Sequence, residues 1–184
     1  MVWLWILIAI VALLAIIVIY FYNRIAVLSN RIENSLSQID VQLRKRGELV
    51  PNLINSVKGY MKHEKKIMNQ VSKSREVLIK AKTLESRAKA GAELQSALKD
   101  VFAIAENYPQ LRANENFLQL QNELSAIEDR IAYARQFYND SILAYNNLVT
   151  TFPGNSFAKM FNKSKKDYLQ IPTETKAVPK VSFE

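Results

Sequence analysis

The chain has 184 residues, 49% apolar and 23% charged, which leaves room for one ordinary domain beside a membrane segment and excludes a wholly disordered or polytopic membrane protein. It contains no cysteine, so disulfides, thiolate metal sites, cysteine nucleophiles and a lipid-modified cysteine are all excluded. A net charge of +8 reads first as a solvated face biased toward lysine, with proximity to anionic lipid as its functional gloss, and only four glycines and five prolines argue against a sheet fold rich in tight turns.

Val2 to Tyr22, VWLWILIAIVALLAIIVIYFY, carries no charge. As a helix it would be about 31 Å long, enough for a hydrocarbon core of about 30 Å. Trp3 and Trp5 stand at one end and Tyr20 and Tyr22 at the other, where amphipathic rings settle at membrane interfaces. No basic stretch precedes the run, it is longer than a cleaved signal, and no A-x-A site follows. The pattern predicts an uncleaved single-pass anchor in the cell membrane, residues 1–23. Arg24 and Arg31 follow the span, then Arg44, Lys45 and Arg46. This favours the N-terminus outside and the rest of the chain in the cytoplasm. The excess next to the span is two side chains, so the opposite orientation stays open.

From Leu28 the apolar positions are Leu28, Ile32, Leu36, Ile39 and Leu43, the spacing of one helix face. This helix is expected to continue from the anchor and to stop near Gly47, with glycine in the left-handed position past its end. Pro51 suits the first turn of a second helix, whose face reads Val50, Leu53, Val57, Tyr60, Ile67, Val71 and Leu78 and which runs to about Leu84. ESRAKAGAE reads as a connection. A third helix, from Leu94 to Ala105, ends before Tyr108-Pro109. The last helix has the clearest period: Ala113, Phe117, Leu120, Leu124, Ile127, Ile131, Ala134, Tyr138, then Ile142, Tyr145, Val149 and Phe152, closed by Pro153-Gly154. The expected fold class is all-α: an N-terminal transmembrane helix followed by an elongated antiparallel bundle of about four helices, residues 24–154. Residues 155–184 form a basic tail. In it, Phe157, Met160 and Phe161 are expected either to pack on the bundle end or to make an interfacial foot, and the last dozen or so residues are expected to be disordered.

Several blocks stand in one order: YN at Tyr22-Asn23, RIENSLSQIDVQLRKR from Arg31, LVPNLINSVKGYMKHE from Leu49, AENYPQLRANENFLQLQNEL from Ala105, IEDRIAYARQFYNDSILAYN from Ile127, and FP at Phe152-Pro153. Over roughly residues 22–153 the chain resembles the bacterial LemA family. The resemblance implies a membrane anchor followed by an antiparallel helical bundle. It carries no enzymatic reaction, cofactor or catalytic residue, and it hints by association at partners among envelope proteins. Gly47, where the family has a larger polar residue, and the tail after Pro153 depart from the pattern.

The densest chemistry lies in QIDVQLRKRGELVPNLINSVKGYMKHE, Gln38 to Glu64. His63-Glu64 begins like a zinc-protease helix, but position 67 is Ile and the chain has no second histidine. One histidine also fails a di-metal bundle site and leaves a serine triad no second choice of base. No catalytic, cofactor-binding or metal-binding residue is assigned, and no cofactor. Lys58, Lys62, Lys65 and Lys66 read as a solvated face of the second helix, without a nucleic-acid recognition motif. The Lys-rich segment from Lys159 to Lys166 can meet anionic headgroups if it reaches the membrane. Asp40 and Arg44 are spaced to pair on one helix, and polar groups beside apolar stripes fix register.

The sequence therefore predicts a non-enzymatic protein-interaction or scaffold module at the membrane. Its candidate interaction corner is Asp40, Arg44, Arg46, Glu48, Asn52, His63 and Glu64, placed at the first turn of the bundle. The expected partners are the membrane and a protein in the membrane or envelope, with nucleic acid disfavoured and a homo-oligomer left open. One alternative is a metal-dependent or other enzyme centred on residues 38–64. Another is binding of anionic lipid or nucleic acid through the Lys-rich faces.

Overall fold

A computed structural model describes residues 1–169 and contains α1 (Val2–Lys58), α2 (Lys65–Lys80), α3 (Leu84–Ala105), α4 (Pro109–Arg112), α5 (Glu115–Thr150) and α6 (Gly154–Met160). No strand occurs among the described residues, so the all-α expectation holds. The disorder expected at the end of the chain falls on residues 170–184, outside the described residues. The chain divides into two compact units, Met1–Ile39 with Tyr133–Tyr168, and Asp40–Ala132.

In the first unit α1 begins with the apolar segment, exposed from Val2 to Ile16 and long and apolar enough to cross a membrane. Burial starts at Ile25 and continues through Leu28, Ile32, Ser35 and Ile39, while α5 contributes Ala134, Tyr138, Ser141, Ile142, Tyr145 and Val149. The two buried serines cost little. Ser35 Oγ donates to the Arg31 carbonyl at 2.6 Å and Ser141 Oγ to the Phe137 carbonyl at 2.7 Å, so neither hydroxyl is left unmatched. The Arg31 guanidinium lies 4.5 Å from the centre of the Phe137 ring. Burial pushes the Tyr138 and Tyr145 hydroxyls up, and the Asp167 charge adds to the shift at Tyr138. Phe152, expected as the last member of the α5 stripe, is 85% exposed instead, because α5 ends at Thr150.

In the second unit three sequence expectations are corrected. First, α1 does not stop at Gly47. It runs through Gly47 and Pro51 to Lys58, and no glycine among the described residues has a positive φ. The inward face passes Leu43, Arg46, Val50, Leu53 and Val57 with no change of phase, and each of these is at most 2% exposed. Burial of that stripe outweighs the local breakers. A proline in a helix interior removes the hydrogen bond to the carbonyl four residues earlier and costs about 3 kcal/mol. Here that carbonyl belongs to Gly47, and Arg75 Nε on α2 donates to it at 2.7 Å.

Second, the turn expected at Gly47–Pro51 lies at residues 59–64, between α1 and α2. Met61, fully buried, pins it, and the Tyr60 and Met61 amides donate to the Val57 carbonyl. Lys58 thus ends α1, Lys62 lies in the turn, and Lys65 and Lys66 open α2, so the four lysines do not share one helix face. Third, ESRAKAGAE is helical. Thr83 and Ser86 form a capping box that starts α3 ten residues before Leu94. The small residues there face inward: Ala88, Ala90 and Gly91 are buried, and a Cβ at Gly91 would stand 2.7 Å from Leu43 Cδ2 on α1.

Gly47 provides the check. A Cβ there meets nothing within 4 Å, and the backbone is helical. Gly47→Ala is expected to stabilise the protein by about 0.5–1 kcal/mol, read as a higher melting temperature by circular dichroism. A drop in melting temperature would mean that the glycine serves as a turn.

Candidate interaction groove

The sequence-predicted residues separate into three groups. Asp40, Arg44 and Glu48, one turn apart on α1, line one side of a groove of about 480 Å³. Arg75, Leu78 and Ile79 of α2 line the other side, and Ala81 and Arg87 close it toward α3. Arg46 faces the opposite way. It is 1% exposed, paired with Glu128 of α5, and its Nη1 donates to the Gly91 carbonyl at 3.3 Å. Arg46 therefore joins α1, α3 and α5 from inside. Asn52, His63 and Glu64 line neither this groove nor the smaller one beside Pro51. Asn52 is exposed, and its carbonyl accepts from Ser56 Oγ at 3.0 Å. His63 is exposed in the turn, and Glu64 precedes α2, with the Tyr108 hydroxyl 3.5 Å from its Oε1.

Asp40 organises the groove. Its Oδ2 pairs with Arg44 Nη2 at 3.0 Å and its Oδ1 accepts from Arg87 Nη1 at 2.5 Å. Arg87 Nε donates in turn to the Ala81 carbonyl at 3.0 Å, at the end of α2. One carboxylate and one guanidinium thus tie α1, the α2–α3 connection and α3 together, with charge-assisted hydrogen bonds where burial is partial. The remaining wall offers Arg75, the exposed Glu48 and the exposed Ile79 over Leu43 and Leu78. The result is an apolar floor with charges of both signs on its rim. A second groove of about 240 Å³, lined by Val50, Pro51, Ile54, Asn55, Ser72 and Arg75, shares the Arg75 side chain. No group of three or more potential metal-ligating His, Cys, Asp or Glu residues occurs among the described residues.

Arg75 and Arg87 are missing from the sequence reading. Arg75 falls on the inward stripe Val71, Arg75, Leu78, an arginine where an apolar residue is expected, and that was a usable signal. Arg87 lay in the segment read as a connection, and the Thr83–Ser86 capping pair was the cue that placed it on a helix.

Residues 35–183 match the LemA family. The chain belongs to that family. It is also similar to magnetosome protein MamQ 2 of Paramagnetospirillum magneticum, 23% identical over 81% of this chain and 64% of that protein. Protein LemA of Metamycoplasma hominis is 25% identical over 71% of this chain and 60% of its own length. Magnetosome protein MamQ of Magnetospirillum gryphiswaldense is 23% identical over 80% and 64%. The chain thus spans less than two thirds of the length of the curated relatives it matches. Within this LemA-family chain the groove lies wholly inside the matched region.

The pairs around the groove predict an order of stability effects. Asp40→Ala is expected to cost about 1–2 kcal/mol, because it strands Arg87 as well as Arg44. Arg44→Ala, at a 71% exposed side chain, is expected to cost no more than about 0.5 kcal/mol. Urea unfolding of the two variants checks this, and equal costs would show that the Asp40–Arg87 pair does not hold α3.

Proposed function

We propose that the chain is a single-pass membrane protein whose helical part binds partner proteins through the α1–α2–α3 groove and catalyses no reaction. The observation that carries this is the make-up of the groove: a floor of Leu43 and Leu78 with Ile79 exposed at its edge, rimmed by Arg44, Arg75 and Glu48. An apolar anchor from a partner helix would fill the floor, and a flanking carboxylate would meet the arginines, the usual division between a buried hot spot and a polar rim. Arg75 Nε is held by the Gly47 carbonyl, which leaves the two Nη groups of its fork for a ligand. The relatives support the reading by their description: two are called magnetosome proteins, and none of the names is that of a reaction. Arg24 and Arg31, directly after the apolar segment, support a cytoplasmic helical part.

A photo-crosslinking residue at Ile79 in intact membranes tests the proposal, with exposed Lys99 on α3 as control. The expected result is one defined protein adduct at Ile79, absent at Lys99 and lost when Arg44→Glu reverses the rim charge. Adducts that are the same at both positions, or indifferent to Arg44→Glu, would reject the groove as the binding surface.

A further inference from the structure

The chain does not drift away after α5. Gly154 opens α6 so close to the end of α5 that a Cβ there would collide with the Leu148 carbonyl oxygen. Helix α6 then ends in a Schellman motif. Asn162 takes the left-handed conformation (φ 53), its amide donates to the Lys159 carbonyl at 3.1 Å, and the Lys163 amide donates to the Ala158 carbonyl at 2.8 Å. Asparagine is among the few side chains that enter this conformation readily. The returning chain is fastened by the Asn146 amide, whose Nδ2 donates to the Lys166 carbonyl and whose Oδ1 accepts from the Lys166 amide, both at 2.9 Å.

This path sets α6 against the last turns of the apolar segment. Phe157 stacks on Phe21 with ring centres 4.5 Å apart, and Phe161 meets Tyr22 edge-on at 5.3 Å. Ile17, Val18 and Phe21 are half-buried, while the rest of the segment up to Tyr22 is exposed. Around these anchors, two large apolar side chains face outward, Phe152 at 85% and Met160 at 56% exposure. Lys159, Lys163 and Lys165 of the same segment are exposed as well. Lys166 is already engaged: its Nζ bonds Ser29 Oγ at 3.2 Å and stands 5.2 Å from the Tyr145 ring centre.

We propose that α6 and the turns on either side of it form a membrane-surface foot, in which Phe152 and Met160 enter the boundary between headgroups and acyl chains and Lys159, Lys163 and Lys165 bind anionic phospholipid headgroups. The proposal rests on the anchor reading of Val2–Tyr22. If that segment crosses the bilayer, Phe21 and Tyr22 lie at its edge, and a helix stacked on Phe21 lies at the same depth. Phe152 and Met160 expose large apolar side chains in a segment that also exposes three lysines. A lipid boundary accepts both, because the lysine stems run along the apolar surface while their ammonium groups reach phosphate. The aromatic stacks, the Schellman motif and the Asn146 clamp make the foot part of the folded unit, so its side chains are presented without a further cost of ordering.

The absence of natural cysteines allows a clean test. The full chain carrying Met160→Cys, or Ser72→Cys as an exposed control on α2, is assembled into nanodiscs of phosphatidylcholine alone or mixed with phosphatidylglycerol, and its alkylation by a membrane-impermeant maleimide is timed. In the mixed discs the thiol at position 160 is expected to react about tenfold more slowly than the one at position 72, with much of that protection lost in phosphatidylcholine discs or when Lys159→Gln, Lys163→Gln and Lys165→Gln are combined. Equal rates at positions 160 and 72 in the mixed discs overturn the foot. Protection indifferent to lipid charge and to the three lysines overturns headgroup binding, since simple packing within the protein would give that result. A chain that fails to enter the discs overturns the anchor reading and the foot together.

Discussion

The carbonyl oxygen of Gly47 is the point on which the second unit turns. Pro51 cannot donate to it, and an unmatched backbone oxygen in this half of the helix would favour a break. Arg75 supplies the missing donor from α2. The exchange keeps α1 helical to Lys58, so that Val50, Leu53 and Val57 stay on the same face as Leu43. It also fixes where α2 must lie, because a guanidinium reaching a backbone oxygen on another helix admits few geometries. The groove follows: it is the space left between α1 and α2 once Arg75 has been drawn to Gly47 and Arg87 to Asp40.

The arginine contacts between helices in this unit share a principle. Each arginine reaches a group that another feature of the sequence has made available. Arg75 takes a carbonyl freed by proline, Arg87 takes the carbonyl of Ala81 at the cap of α2 and a carboxylate on α1, and Arg46 takes Glu128 and the carbonyl of Gly91. Gly91 serves twice, since its missing side chain also lets α3 approach Leu43. In the first unit the same work is done by an amide, with Asn146 holding the returning chain as a neighbouring strand would.

Much of the helical core was legible in the period of the apolar residues. The α5 stripe from Phe117 to Val149 is buried almost as spaced, and the apolar opening of α1 is exposed as a membrane segment would be. What failed were the readings that gave a single residue authority over its surroundings. Gly47 and Pro51 are breakers by propensity, yet the stripe keeps phase across them, and a real turn would have shifted it. ESRAKAGAE looked like a linker because small residues carry no apolar period, although small residues are what a close helix crossing needs. At the candidate site, Asp40 and Arg44 were legible from their one-turn spacing, while Glu48 was assigned to a corner that is helix in the structure. Their partners Arg75 and Arg87 were not, since contacts between distant segments leave no local pattern. Arg46 shows the limit most clearly: a charged residue among charged neighbours, it reads as surface and is buried, because its partner Glu128 lies on α5.

The central claim is that Arg75 matters because Pro51 leaves Gly47 without a donor, and a double-mutant cycle tests it most directly. Arg75→Met in the natural chain is expected to lower stability by about 1–2 kcal/mol, measured by unfolding of the full protein in detergent. In a Pro51→Ala background the alanine amide takes the Gly47 carbonyl, and the same Arg75→Met change is expected to cost less than half as much, a coupling of about 0.5–1 kcal/mol. An Arg75→Met cost that is unchanged by Pro51→Ala would contradict the account.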